Sequence, residues 1–140
     1  VGVTYTCDAL PVGIGGAVRS GTYVLTAVVH HAVSAQWWGI DGFGAPHKGA
    51  LVISEASLVS IAEQINIAVG VTYTTEGNRL ISQLCSSCGH LTAFYNSIRW
   101  DPNYVNYAYP LNATYTATET SLELYDEERG VAFTYRRISD

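Results

Sequence analysis

Three cysteines and a histidine pair are the residues whose types and spacing could carry chemistry. Cys85-Ser-Ser-Cys88-Gly89-His90 places two thiols three positions apart, with an imidazole close behind. A zinc site needs about four N or S ligands, and a Cys-x-x-Cys pair is normally completed by a second pair elsewhere. Only Cys7 and scattered histidines are on offer, which argues against zinc. Thioredoxin-type redox chemistry places the motif at the start of a helix after a strand, and Gly89 with strand-like flanks does not supply that. Haem attachment needs His directly after the second cysteine, and Gly89 intervenes. A structural disulfide is the remaining use. Cys7 is expected to reach Cys85 or Cys88, closing a loop of about eighty residues worth roughly 4 kcal/mol in the chain-entropy model. The third thiol is then spare, or bonds another chain. Three reduced, buried cysteines are the alternative.

His30-His31 falls in an extended, β-branched stretch, where neighbouring side chains point to opposite faces and cannot easily share a metal. One is expected to be buried and hydrogen-bonded, the other exposed. A histidine-based hydrolase using His30 or His31 has no partner motif to support it. Asp126, Glu127 and Glu128 read as a solvated turn more readily than as a Ca²⁺ site. Gly13-Ile14-Gly15-Gly16 lacks the full dinucleotide fingerprint and the helix that should follow it. No cofactor or metal is expected.

Aromatic residues offer contact chemistry instead. Trp37-Trp38 precedes Gly39-Ile40-Asp41-Gly42-Phe43-Gly44. Two adjacent indoles at a strand end cannot both enter one core, so Trp37 or Trp38, with Phe43, is expected to meet a partner. Capping of the sheet by all three rings is the equal alternative. Tyr104, Tyr107 and Tyr109 lie among Asn103 and Asn106, a mixture that suits adaptable contact surfaces, although an edge segment packed against the hairpin accounts for it more readily.

The elements that must position these groups come from 140 residues, of which 48% are hydrophobic and 14% charged. Average soluble chains carry about 25% charged residues, so the surface must draw on Thr, Ser, Gly and Tyr. Net charge is −5, and the seven basic residues are scattered apart from Arg136-Arg137. No cationic stripe is present for nucleic acid. The absence of Met fits a processed product, and Asn112-Ala113-Thr114 is a glycosylation sequon. Together these features point to a secreted glycoprotein.

Val3 to Cys7 and Thr22 to Ser34 read as strands, the second buried on both faces. The spacing of Leu58, Ile61, Ala62, Ile65, Ala68 and Val69 predicts an amphipathic helix over Ser54 to Val69, capped by Ser54 and stopped by Gly70. Ala113 to Tyr125 and Val131 to Ile138 predict a C-terminal hairpin closed by 126–130. The expected architecture is a single α+β domain over 1–140: a largely antiparallel sheet with that helix packed on it.

Part of the chain resembles small secreted fungal proteins related to yeast killer toxins. The resemblance rests on Ser57-Leu-Val-Ser-Ile-Ala-Glu-Gln-Ile65, Cys88-Gly89 and the aromatic stretch ending Ile98-Arg99-Trp100. It implies an α/β fold with disulfide-linked subunits and makes Arg136-Arg137 a candidate processing site; it implies no active-site residue. The resulting expectation is a toxin-like or effector-like binding protein. It would contact another protein chain or a cell-surface component rather than catalyse a reaction. A self-assembling filament or coat subunit, pairing through its N-terminal strand, is the alternative, and a small hydrolase comes third.

Overall fold

A computed structural model describes residues 1–31, 48–62, 67–85, 99–100 and 112–140. Among them there is no helix. Ten strands are present: β1 Val3–Tyr5, β2 Gly21–His30, β3 Gly49–Ile53, β4 Ser57–Ala62, β5 Ile67–Glu76, β6 Arg79–Leu84, β7 Arg99–Trp100, β8 Asn112–Ala117, β9 Ser121–Asp126 and β10 Val131–Ser139.

Eight of them, β2-β3-β4-β5-β6-β8-β9-β10, form an antiparallel meander whose last strand returns to its first, closing an eight-stranded barrel. The expected α+β fold is therefore overturned. A register row leaving β2 at Val29 through β10, β9, β8 and β6 reaches β5 at Glu76. A row leaving β2 at Val24 through β3 and β4 reaches β5 at Ala68. That offset means strongly tilted strands, as closure requires.

The expected helix is β4 and the start of β5. Leu58 projects inward and packs with Ile53 and Val71. Val59 and Ile61 alternate outward and are also buried, in a second cluster with Ala50 and Ala68. A run buried on both faces carries no period-two signal, and its apolar positions fall on helical spacing by default. Ser54, expected to cap that helix, closes a β-turn instead: its N–H donates to Ser57 O at 2.9 Å, and the two hydroxyls lie 2.5 Å apart. Thr118 and Ser121 repeat the device between β8 and β9, their hydroxyls 2.7 Å apart. Gly77 and Gly130 supply the positive φ of two further turns, 60° and 68°.

On β2 the inward set is Tyr23 and Leu25, then Val28 and His30. Thr26 is an extra residue opposite the Thr134/Tyr135 step of β10, and this bulge switches the parity. The inner wall is Tyr23, Leu51, Leu80, Tyr115, Leu122, Leu124, Phe133 and Tyr135. The outer wall shows Thr72, Arg79, Thr116, Glu123 and Arg136. Membrane barrels alternate in the opposite sense, apolar outward.

The N-terminal segment completes the wall. β3 accompanies β2 over Gly21–Val24 only, and β1 lies parallel to β2 over Val28–His30. Residues 13–16 then run down the outside of β8. Gly13 N–H donates to Thr114 Oγ1 at 3.0 Å, Ile14 N–H to Thr116 Oγ1 at 3.1 Å and Gly15 N–H to Tyr115 O at 2.7 Å. A Cβ on Gly13 would sit 2.2 Å from the Tyr115 carbonyl oxygen, so only glycine fits.

Candidate functional site

β2, β4, β6 and β9 run in the same direction, and the rim where they end gathers the barrel's buried inner polar groups. His30 closes β2, Ser60 lies near the end of β4, Ser82 near the end of β6, and Asp126 closes β9. Each shares the inward parity of its apolar neighbours Val28, Leu58, Leu80 and Leu124, and each is buried. One strand in two thus contributes a polar side chain to a collar above an apolar floor.

The four are not equivalent. Asp126 organises the β9–β10 turn: its Oδ1 accepts the N–H groups of Glu128 and Arg129, and its Oδ2 accepts Arg129 Nε at 2.5 Å. The Arg129 guanidinium lies 5.8 Å from the centre of the Phe133 ring, so the pair folds over the apolar floor. His30 shares a register row with Asp126 across Val131, yet Asp126 is committed to Arg129 and the turn. That is not the base-and-orienter geometry of nucleophilic catalysis. Ser82 is 7% exposed and its Oγ has no hydrogen-bond partner among the described residues. Buried hydroxyls are nearly always paired.

Below the collar stand four inward tyrosines. Tyr23, Tyr73 and Tyr115 donate to the backbone oxygens of Arg19, Ser54 and Gly16 at 2.9, 3.1 and 2.8 Å, which ties the lower end shut. Tyr135 is fully enclosed, and burial pushes its hydroxyl far above the usual tyrosine range against a smaller opposing pull from Arg129. Burial also raises Tyr23 and Tyr73, and burial with the adjoining Glu123 pushes Tyr125, on the outer face, up to about 12.

Several expected site residues are placed differently. Cys7 is an exposed free thiol, so its expected bond to Cys85 or Cys88 is not formed: β1 keeps it beside the end of β2. Both histidines are buried rather than one. His30 faces inward beneath the Tyr5 ring, while His31 faces outward with Nδ1 3.2 Å from Asp8 O. Asn112 is exposed at the start of β8, its Oδ1 accepting Arg79 Nη1 at 3.0 Å. Arg136 and Arg137 lie within β10, paired to β2, and Arg137 donates to Ser20 O at 2.7 Å and meets Asp140 at 2.7 Å. Trp37, Trp38, Phe43, Cys88, Tyr104, Tyr107 and Tyr109 lie outside the described residues. No group of three or more His, Cys, Asp or Glu is placed to hold a metal among the described residues.

The collar serines were missed in the sequence. Their signal was a serine on the apolar alternation set, as in Leu80-x-Ser82-x-Leu84.

No protein-family model matches the chain, and no curated protein matches it. Two solved structures resemble it. One is an uncharacterized protein from Bacteroides eggerthii, 12% identical, covering 85% of this chain and 98% of its own, with a TM-score of 0.48. The other is a DUF4847 family protein from Bacteroides vulgatus, also 12% identical, covering 86% and 94%, with a TM-score of 0.46. Neither is described as a killer-toxin relative. The α/β fold implied by that resemblance is not the fold of this chain, because the supposed helix at 57–65 begins with strand β4.

Proposed function

We propose that this chain is a binding protein that takes a small, mainly apolar molecule into its barrel through the collared rim. Small closed barrels either fill their interior with side chains or hold one ligand there. Ligand sites are typically apolar with a few convergent polar groups, and the floor and collar have that composition. The observation that carries the reading is Ser82, a buried inward hydroxyl with no hydrogen-bond partner among the described residues. An extracellular setting belongs to the same proposal, on composition and the sequon.

The test is titration of the purified chain with an apolar fluorescent dye, alongside Ser82→Phe and Ser60→Phe, which fill the interior. Saturable one-to-one binding is expected, weakened about tenfold or more, some 1.4 kcal/mol, in both variants while the strand signature in circular dichroism persists. Absence of saturable binding, or binding indifferent to both replacements, rejects the proposal.

A further inference from the structure

The outer wall is not alike all round. Over β3, β4 and β5 its apolar positions Ala50, Val59, Ile61 and Ala68 are buried. Over β2, β10 and β9 it is open. Val24, Val29, Ala132, Thr134 and Ser121 are only half-buried there, and they are small enough for another flat surface to approach closely. Two charged side chains stand on this face, Glu123 on β9 and Arg136 on β10. Glu123 lies opposite Thr134, and Arg136 lies opposite Ser121, so the two are diagonal neighbours, about 7–8 Å apart on a sheet. They do not pair with each other. Glu123 accepts the Tyr125 hydroxyl, and the exposed Arg136 has no side-chain partner among the described residues.

Two exposed large apolar side chains border the same face. Ile14 is 85% exposed; its N–H donates to Thr116 Oγ1, and Thr116 is the neighbour of Glu123 on β8. Ile138 is 54% exposed and stands two positions beyond Arg136 on β10. Each charge therefore has an isoleucine on its far side, at comparable reach. One strand spacing, from Glu123 to Thr116, is about 4.8 Å, and two residues of strand, from Arg136 to Ile138, about 6.8 Å.

We infer that two copies of this chain join face to face through this wall, the Glu123 carboxylate of each meeting the Arg136 guanidinium of the other across a two-fold axis. An axis lying between the two sheets and bisecting the Glu123–Arg136 diagonal exchanges those positions. The same rotation brings Ile14 of one copy towards Ile138 of its mate. It passes near Thr134 and Ser121, whose small side chains can meet their own copies. An isologous contact requires this self-complementarity, in which one patch offers both members of every pair. Opposite charges that stay apart within a chain are both on offer to a second one, and they fix the register of the contact. The barrel interior takes no part, so the dimer does not depend on the binding reading.

Sedimentation equilibrium of the purified chain should show a reversible, concentration-dependent dimer. Glu123→Arg and Arg136→Glu each make the face repel itself and should raise the dimer dissociation constant about tenfold or more. Mixed in equal amounts, these two variants carry opposite charges at both contacts and should form a heterodimer about as tight as the wild-type dimer. Ile14→Ser and Ile138→Ser should weaken the dimer with the charges left in place. Circular dichroism should be unchanged throughout, because all four side chains lie outside the barrel. Glu123 also holds Tyr125, so Arg136→Glu and Ile138→Ser, which break no side-chain hydrogen bond among the described residues, carry the test if Glu123→Arg misfolds. A wild-type chain that stays monomeric, single variants that dimerise as wild type does, or a mixture of folded variants that stays monomeric overturns the inference.

Discussion

Tyr5 lies flat against His30, the ring centroids 4.9 Å apart and the planes 15° from parallel. His30 is 1% exposed whereas Tyr5 is 58% exposed, so an exposed ring on a three-residue strand seals the end of β2. Tyr5→Ala should cost about 0.5–1.5 kcal/mol, the worth of a stacked aromatic pair. It should also make His30 reactive to an imidazole-acylating reagent. Unchanged His30 reactivity, read by peptide mass mapping, would show that β1 is not the seal.

Gly13 and Gly77 make a controlled comparison. Alanine at Gly13 meets the Tyr115 backbone at 2.2–2.4 Å, whereas at Gly77 it meets nothing within 4 Å but must hold a φ of 60°. Gly13→Ala should destabilise by about 1–3 kcal/mol or more through overpacking against backbone. Gly77→Ala should cost about 1–2 kcal/mol through backbone strain alone. Denaturant melts would contradict the fit of residues 13–16 against β8 if the order were reversed.

Leu58→Ala and Ile61→Ala should both cost about 2–5 kcal/mol, because both side chains are fully buried, one inside the barrel and one outside it. A wall with one solvated face would lose stability at only one of the two positions.

Thiol counting on the native chain should find Cys7 open to alkylation. The remaining two cysteines, three positions apart, are then expected to bond each other. Non-reducing peptide mapping that finds Cys7 blocked would reject this arrangement.

Alkali should unfold the chain. Tyr125 is raised to about 12, with Tyr23, Tyr73 and Tyr135 raised as well. Above the ordinary tyrosine value near 10 the unfolded chain releases protons that the folded chain retains, so stability falls as pH rises from about 10 toward 12 and is unaffected below. Equilibrium melts across that range check the sign.

What could be read in the sequence was local. Glu76-Gly77-Asn78 and 126–130 announce their turns because a left-handed backbone selects glycine. The barrel was hidden by three non-local effects. The outer face of β3–β4–β5 is buried at Ala50, Val59, Ile61 and Ala68, which erased alternation at Val59 and Ile61. The bulge at Thr26 moves the inward set from Tyr23 and Leu25 to Val28 and His30, so β2 looks apolar on both sides. The run Gly13–Gly16 carries no sign of its pairing with β8 because the partner of Gly15, Tyr115, lies a hundred residues away. At the site, His30 was noticed for its type, but Ser60 and Ser82 acquire meaning only once the wall closes and their side of the strand becomes an interior.

The ladder between β2 and β10 has a further consequence, for biosynthesis. Every other pairing around the barrel joins strands that follow one another along the meander, whereas this one joins residues about a hundred positions apart. Until residues 131–139 emerge from the ribosome, the chain can form only an open sheet with β2 and β9 as bare edges. Such edges invite pairing between chains, and long loop closure is slow to be rewarded. The nascent chain is therefore most exposed to aggregation, and most dependent on chaperones, in the interval just before its final strand is delivered.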